Sequence, residues 1–270
     1  RFTIYILSNI VKRMATIVSL RDVSRVFHTV VGKRPVWERL SLDIRRGELV
    51  SVFGPNGCGK TTLLNIIAGI DDEYEGVCER MPDMNVSYMY QHYRQANFPW
   101  LTVLDNITLP LKMHGVSESK RRATAGAMLA RLRLSLDLEA YPYQLSGGQQ
   151  QLVALVRALI TEPAVLLLDE PFSALDYETT LFFVGKLREI WRELGITIVC
   201  VSHDIETTLL LGQRILVLGK NPSRVVADLT GHRTIAQQLH APYSDHYLET
   251  RNKVLGAFMP SVPLPGLAYA

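Results

Sequence analysis

A glycine-rich loop at residues 54–62 constrains the fold of this chain more than any other feature of its sequence. The loop matches the pattern G-x-x-x-x-G-K-[ST] without insertion or gap, between a short apolar strand pattern and a stretch of helical spacing. Glycine permits the backbone angles and close approaches that let successive N–H groups point at phosphate oxygens. The loop therefore predicts a triphosphate site, with the candidate contacts Gly54, Pro55, Asn56, Gly57, Cys58, Gly59, Lys60, Thr61 and Thr62.

Three side chains of this loop have chemistry of their own. Lys60 supplies a mobile ammonium for the β- and γ-phosphates, and Thr61 carries a hydroxyl suited to Mg²⁺. Cys58 lies near Lys60 and a helix start in the sequence, which makes it a candidate reactive thiol. A glycine-rich turn before an ordinary helix is the alternative interpretation of the isolated pattern.

The composition limits what class of protein this can be. With 270 residues, 47% apolar and 20% charged, the chain suits one large globular domain or two modest ones. A net charge of +3, with no basic run longer than Lys120–Arg122, argues against a nucleic-acid partner. Three cysteines without metal-ligand spacing predict neither a disulfide framework nor a zinc site, which suits a reducing cytosol. No apolar run approaches the ~20 residues that cross a bilayer.

Two carboxylates follow the apolar run at residues 164–168. Burying them at the end of a hydrophobic strand is costly unless a cation or proton chemistry uses them. Asp169 is therefore a candidate Mg²⁺ ligand, and Glu170 is a candidate group for orienting or polarising an attacking water. A structural ion pair is the alternative.

Two more polar residues stand at predicted strand ends. Gln91 follows the strand pattern at 86–90, and His203 follows the one at 196–201 after a single serine. Open α/β sheets bind ligands at the carboxyl ends of their strands. Gln91 is thus a candidate contact to a metal or water and His203 to a γ-phosphate, although a lone histidine is more often a packing residue.

A second glycine motif, Leu-Ser-Gly-Gly-Gln, occupies residues 145–149 and opens an apolar helix. Ser146, Gly147 and Gly148 stand at the predicted helix N-terminus, which forms a second anion site. One triphosphate hardly needs two such sites. A simple helix N-cap is the alternative for this motif.

The remaining patterns predict an α/β chain with a helical insertion. Antiparallel strands are predicted within residues 17–44, before the phosphate loop. Helices are predicted over 117–138, from 171–176 as far as Leu194, and around 247–258.

These elements suggest a division of the chain into three parts. Residues 1–16 are predicted to be a non-native or disordered extension, and 17–230 the main domain, with a helical subdomain at about 91–160. Residues 231–270 are predicted to form a C-terminal helix and a loose tail.

In order and approximate spacing, these motifs resemble the ATP-binding subunit of an ABC transporter over about residues 17–230. The motifs that carry the likeness are 54–62, Gln91, 145–149, 166–171, 173–176 and His203. The resemblance implies a P-loop NTPase core of the ABC type with an antiparallel β subdomain and a helical insertion subdomain. It also implies hydrolysis of ATP with Mg²⁺, which Thr61, Gln91 and Asp169 would contact.

The resemblance further implies a head-to-tail pair of nucleotide-binding subunits with two ATP molecules between them. The loop at 54–62 would hold one ATP, while the signature residues Ser146, Gly147, Gly148 and Gln149 would face the γ-phosphate bound to the opposite subunit. Asp176 would reach across the dimer, and Glu170 would be the general base. Phe27 would stack on adenine, at a position where the family more often has tyrosine.

A narrower likeness at 98–106 and 221–226 is to the nitrate, sulfonate and taurine importers. It implies separate transmembrane permease subunits, an extracytoplasmic substrate-binding protein and a peripheral place at the cytoplasmic face of the inner membrane. The sequence departs from the family at Gln150–Leu152, where an Arg-rich continuation is more usual. Two alternatives remain open: a soluble ABC ATPase acting on nucleic acid, and a regulatory ATP switch without turnover. The sequence identifies neither the cargo nor the direction of transport.

Overall fold

The described residues of the chain form two compact units in the computed structural model. Unit 1 combines the described residues up to Met81 with those from Val201 onward, and unit 2 runs from Pro82 to Cys200. The predicted helical subdomain lies inside unit 2, and its limits remain a prediction. The structure describes residues 15–30, 32–91, 96–173, 175–220, 223–229 and 245–261.

An antiparallel sheet of three strands begins unit 1. It consists of β1 (Thr16–Thr29), β2 (Gly32–Arg45) and β4 (Glu75–Arg80), in the order β2-β1-β4. The apolar residues at the end of β2 alternate with polar ones, so one face of this strand is buried. The antiparallel sheet predicted for residues 17–44 is confirmed.

A mixed set of strands positions the phosphate loop in unit 1. Strand β3 (Leu49–Phe53) runs parallel to β8 (Arg214–Leu218), and β8 is antiparallel to β9 (Val225–Leu229). Every residue of β3 is buried, as its unbroken apolar pattern predicts. The phosphate loop follows β3 directly and leads into helix α1 (Lys60–Ala68).

The predicted C-terminal helix is confirmed as α7 (Asp245–Phe258), which belongs to the core of unit 1. Tyr247 and Val254 of this helix are buried in a cluster with Phe53. The ring of Phe258 meets that of Phe53 edge to face, with 5.0 Å between centroids. Because Phe53 is the last residue of β3, α7 supports the strand that carries the phosphate loop.

The described residues of unit 2 include a parallel strand pair and four long helices. Strand β5 (Val86–Met89) pairs with the fully buried β6 (Val165–Asp169), and β7 (Thr197–Ser202) ends just inside unit 1. The remaining helices are α2 (Val103–Met113), α3 (Glu118–Arg131), α4 (Gly147–Leu159) and α5 (Tyr177–Leu194) in unit 2, α6 (Ile205–Leu211) in unit 1, and the 3-10 turns Pro142–Gln144 and Met259–Ser261. In the parts of the chain that the structure describes, no helix has both the length and the apolarity needed to cross a bilayer.

The helix predicted over 117–138 is wrong at its C-terminal end, because α3 stops at Arg131. Arg133 adopts a left-handed backbone with φ 51°, and the N–H of Leu134 donates to the carbonyl of Leu129 at 2.9 Å. This is the hydrogen bond of a Schellman ending, which usually has glycine at the left-handed position. An arginine there gives no stop signal in the sequence.

The helix expected to begin within 171–176 begins later, at Tyr177. Asp176 is its N-cap residue, and the carboxylate accepts from the N–H of Thr179 at 2.8 Å. The side chain satisfies a helix N–H that has no partner in the first turn. Residues 171–173, before this N-cap, form turns rather than helix.

Replacing Gly76 by alanine should destabilise unit 1. Gly76 in β4 has φ 93°, and a Cβ built there would lie 2.4 Å from the carbonyl oxygen of Asp22 and 2.6 Å from that of Arg21. Because these atoms are backbone, Gly76→Ala should lower the free energy of unfolding by at least about 2 kcal/mol. Gly126→Ala in α3, where a Cβ meets open space, should raise it by up to about 1 kcal/mol. Equal urea midpoints for the two variants would contradict this account of the sheet.

Candidate active site

Two glycines shape the phosphate loop. Gly57 and Gly59 have φ values of 78° and 86°, in the left-handed region. A Cβ on Gly59 would lie 2.5 Å from Cγ1 of Val36 and 2.8 Å from Nε1 of Trp37. The indole Nε1–H of buried Trp37 donates to the Gly59 carbonyl at 3.3 Å. Strand β2 thus holds the loop where α1 begins.

Lys60 lies inside the loop, with only 6% of the residue exposed. Its Nζ donates to the carbonyl of Gly54 at 2.9 Å and to that of Pro55 at 3.3 Å. A buried ammonium is costly unless hydrogen-bonded, and these carbonyls offset part of that cost. The loop is therefore already folded around the cation that a triphosphate would meet, and Thr61 is exposed beside it.

His203 is brought to the same part of unit 1. The N–H of Gly54 donates to the carbonyl of Ser202 at 3.3 Å, and His203 is the next residue, with an exposed side chain. The end of β7 is therefore hydrogen-bonded to the first glycine of the loop.

The expectation that Cys58 is a reactive thiol is wrong. Its side chain is fully buried, and this burial raises the pKa of the thiol despite the opposing charges of Lys60 and Lys220. Its Sγ lies only 2.8 Å from the place of a Cβ on Gly54, so the thiol fills space under the loop. A raised pKa disfavours the nucleophilic thiolate. Cys58 packs the loop from beneath.

Two cations near the loop were not found from the sequence. A Cβ on Gly57 would lie 3.3 Å from Nη2 of Arg34 and 3.8 Å from Nζ of Lys220. Arg34 is also the cross-strand partner of Phe27, the predicted adenine-stacking residue. One face of the half-buried Phe27 ring is covered by Arg25, whose Cζ lies 4.3 Å from the ring centroid. The register of β1 and β2 places Arg34 beside Phe27, and its side chain also reaches the loop at Gly57.

In unit 2, Asp169 is the last residue of β6 and Glu170 follows it directly; both are buried, at 4% and 6% exposure. Glu170 has a left-handed backbone with φ 47°, an uncommon conformation for a residue with a side chain. The hydroxyl of Tyr88 donates to Oδ2 of Asp169 at 3.3 Å. The thiol of Cys200 is buried near both carboxylates. Its burial, and then the charges of Glu170 and Asp169, raise the pKa of this thiol.

The signature motif begins helix α4, as predicted. Ser146 is the N-cap: its Oγ accepts from the N–H of Gln149 at 3.3 Å, and its own N–H donates to Oε1 of Gln149 at 2.9 Å. The simple-cap interpretation therefore describes the local hydrogen bonding correctly. A Cβ on Gly148 would lie 2.8 Å from Cγ2 of Thr179 in the first turn of α5, so α4 and α5 begin side by side.

Asp176 stands at this paired helix start. Its Oδ1 accepts from the Thr179 N–H and its Oδ2 from the Thr179 hydroxyl, both at 2.8 Å. These hydrogen bonds hold the pKa of the exposed Asp176 carboxyl below its ordinary value. Two helix N-termini with positive partial charge are thus presented together, with Ser146 and Asp176 exposed.

The donor chemistry of the predicted metal residues fits Mg²⁺. Thr61 has a hydroxyl oxygen, Gln91 an amide oxygen and Asp169 a carboxylate, and Mg²⁺ prefers hard oxygen ligands. Thr61 belongs to unit 1, whereas Asp169 and the exposed Gln91 belong to unit 2.

Comparison with known proteins identifies the family. The family model described as ABC transporter matches residues 37–173 of the chain. The chain belongs to the ABC transporter family, as an ATP-binding domain. The predicted ABC-type P-loop fold is therefore confirmed, and the ABC domain is an ATPase. The roles given to individual residues remain predictions.

Two named relatives match most of this chain. The aliphatic sulfonates import ATP-binding protein SsuB of Bacillus subtilis is 36% identical over 251 residues, which are 91% of this chain and 94% of the relative. The nitrate import ATP-binding protein NrtD of a Synechocystis species is 38% identical over 217 residues, 78% of this chain and 81% of the relative. A solved dimeric ATP-binding cassette in a post-hydrolysis state, bound to ADP and Pi, superposes with a TM-score of 0.68 and is 32% identical. That comparison covers 79% of this chain and 98% of the cassette.

Arg34→Gln should weaken ATP binding about three- to tenfold, the loss of about 1 kcal/mol that one charged contact to phosphate supplies. Lys33→Gln is the matched control, because Lys33 is also exposed on β2 but points to the opposite face of the strand. Isothermal titration calorimetry of ATP with both variants measures the difference. Equal affinities for the two variants would show that Arg34 lies outside the nucleotide site.

Proposed function

We propose that the ABC domain hydrolyses ATP to power import of a small anion or organic solute, such as nitrate, a sulfonate or taurine, through separate permease subunits. The observation that carries the proposal is the phosphate loop already folded around Lys60, in a chain whose relatives include two import ATP-binding proteins. Part of the importer-like sequence, at 221–222, lies outside the described residues.

The proposed reaction is in-line attack of water on the γ-phosphorus. A bond forms between the water oxygen and phosphorus, the bond to the β–γ bridging oxygen breaks, and ADP and phosphate leave. Glu170 accepts the proton of the attacking water, and its buried position suits a base that must exclude bulk solvent. Lys60 neutralises charge on the phosphates, and His203 donates a hydrogen bond to the γ-phosphate.

Thr61, Gln91 and Asp169 would hold Mg²⁺, which supplies positive charge against the phosphate oxygens when bound. The nine residues of the loop, Gly54 to Thr62, would bind the triphosphate through their N–H groups, and Phe27 would stack on adenine through the ring face that Arg25 leaves open.

A head-to-tail pair of these domains is proposed as the working state. The exposed N-termini of α4 and α5 support it, because two neighbouring helix ends favour a nearby anion. Ser146, Gly147, Gly148 and Gln149 would face the γ-phosphate on the opposite subunit, and Asp176 would reach across the pair. The solved cassette with the same fold is described as dimeric.

A cavity beside β5 is the proposed docking place of the permease. This β5 cavity of about 540 Å³ is lined by β5, Phe98 and the α4 residues Ala154, Arg157 and Ala158. Arg157 lies over the Phe98 ring at 6.0 Å, and burial lowers the pKa of its guanidinium. In the described part of the chain Arg157 forms no ion pair, and its Nη1 donates to Oδ1 of Asn106 at 3.3 Å.

Such a cavity favours a short apolar helix that carries a carboxylate, because a carboxylate can form a charge-assisted hydrogen bond with the half-buried guanidinium of Arg157. Tyr90 and Trp100 are largely exposed and add aromatic surface of the kind found at protein interfaces. We assign this helix to the permease subunits, which would hold the domain at the cytoplasmic face of the inner membrane. An extracytoplasmic substrate-binding protein would deliver the solute on the other side.

Glu170→Gln should slow phosphate release at saturating ATP by about 100-fold or more, because the amide cannot accept the proton of water. ATP binding should persist, so the variant should elute as an ATP-dependent dimer in size-exclusion chromatography. Glu162→Gln is the matched control, since Glu162 also has a left-handed backbone, with φ 48°, but is exposed and lies before β6. Normal turnover by the Glu170 variant would refute the assigned base.

A further inference from the structure

Tyr88 of β5 contacts both a buried carboxylate and an exposed aromatic ring. Its hydroxyl donates to Oδ2 of Asp169 at 3.3 Å. Its ring stacks on that of Tyr90, with 4.2 Å between centroids and 25° between planes. Both tyrosines also line the β5 cavity. One side chain therefore joins a buried carboxylate to a cavity wall.

The hydrogen bond restricts how Asp169 can present its oxygens. A carboxylate that accepts a hydrogen bond at Oδ2 is restricted in its side-chain rotation, and this restriction sets the direction of both of its oxygens. Outer partners of metal-binding carboxylates act in this way, and removing one typically weakens metal binding 10- to 100-fold. The backbones of β5 and β6 are paired at Tyr88 and Leu167, which places Tyr88 on the strand next to the one that ends at Asp169.

The aromatic stack extends this restriction to the surface. Tyr90 is 52% exposed, whereas Tyr88 is half-buried. Offset aromatic pairs have a preferred geometry, so a displacement of one ring changes the energy of the other. A helix that entered the β5 cavity would press on Tyr90 and so move the Tyr88 hydroxyl relative to Asp169.

We propose that Tyr88 is a positioning residue for Asp169, and that the Tyr88–Tyr90 stack makes the binding of Mg²⁺ at Asp169 respond to what occupies the β5 cavity. The inference depends on the proposed function for two points, the assignment of Asp169 to Mg²⁺ and the docking of a permease helix in the β5 cavity. It gives a direct physical route from a docked permease helix to the metal ligand, within a single unit of the chain.

The test titrates the full chain with Mn²⁺, as the probe for Mg²⁺, in the presence of a non-hydrolysable ATP analogue. Electron paramagnetic resonance measures the bound Mn²⁺. Titration of the analogue alone is the reference. Tyr88→Phe keeps the stacked ring and removes only the hydroxyl, so it should weaken Mn²⁺ binding about tenfold or more. Binding of the analogue in EDTA should not change. A role limited to packing would leave the Mn²⁺ affinity as it is in the parent chain, and that result would overturn the proposal.

Two controls separate this inference from the proposed function. Tyr143→Phe removes a hydroxyl from another stacked pair, Tyr141 and Tyr143, and should leave Mn²⁺ binding unchanged. Asp169→Asn should weaken Mn²⁺ binding strongly. If Asp169→Asn binds Mn²⁺ normally, the metal assignment in the proposed function fails. If Asp169→Asn weakens binding and Tyr88→Phe does not, only the positioning role fails.

A double-mutant comparison tests the connection to the cavity. Tyr90→Ala removes the stacking ring and should weaken Mn²⁺ binding severalfold in the parent chain. In the Tyr88→Phe background the same change should have no further effect, because Tyr90 would act only through the lost hydroxyl. An equal effect of Tyr90→Ala in both backgrounds would show that the stack does not carry the connection.

Discussion

The enclosure of one ammonium group by backbone carbonyls is the interaction on which the site of this ABC domain depends. Lys60 lies inside the loop and donates to the carbonyls of Gly54 and Pro55. A loop can turn its carbonyls and N–H groups in this way only with left-handed backbone at Gly57 and Gly59. The contact of Trp37 with Gly59 then fixes the loop against β2. The antiparallel sheet and α1 therefore hold the loop in the conformation that encloses the Lys60 ammonium.

The catalytic side of unit 2 shows a comparable constraint at Glu170. Its left-handed backbone and burial are both unfavourable for a charged residue, so neighbouring contacts must hold the segment in place. The amide of buried Gln151 in α4 donates to the carbonyl of Pro171, the next residue after Glu170. The helix that begins with the signature motif is therefore hydrogen-bonded to the backbone beside the proposed base.

Much of this arrangement could be predicted from the sequence, because the phosphate loop, the signature and the carboxylate pair are contiguous motifs with a fixed local geometry. What could not be predicted depends on contacts between distant segments. Arg133, the left-handed residue that follows α3, is not a glycine and so gives no stop signal in the sequence. The burial of Cys58 follows from packing beneath the loop. The positions of Arg34 and Tyr88 follow from strand register, which a single sequence does not specify.

The claim that the loop is built to hold phosphates around Lys60 is tested most directly by calorimetric titration of the full chain with AMP, ADP and ATP under one set of conditions. The account predicts that AMP binds barely detectably, because it lacks the β- and γ-phosphates, and that ADP and ATP bind far more tightly as those phosphates reach the ammonium and the loop N–H groups. Equal affinities for all three nucleotides would contradict it.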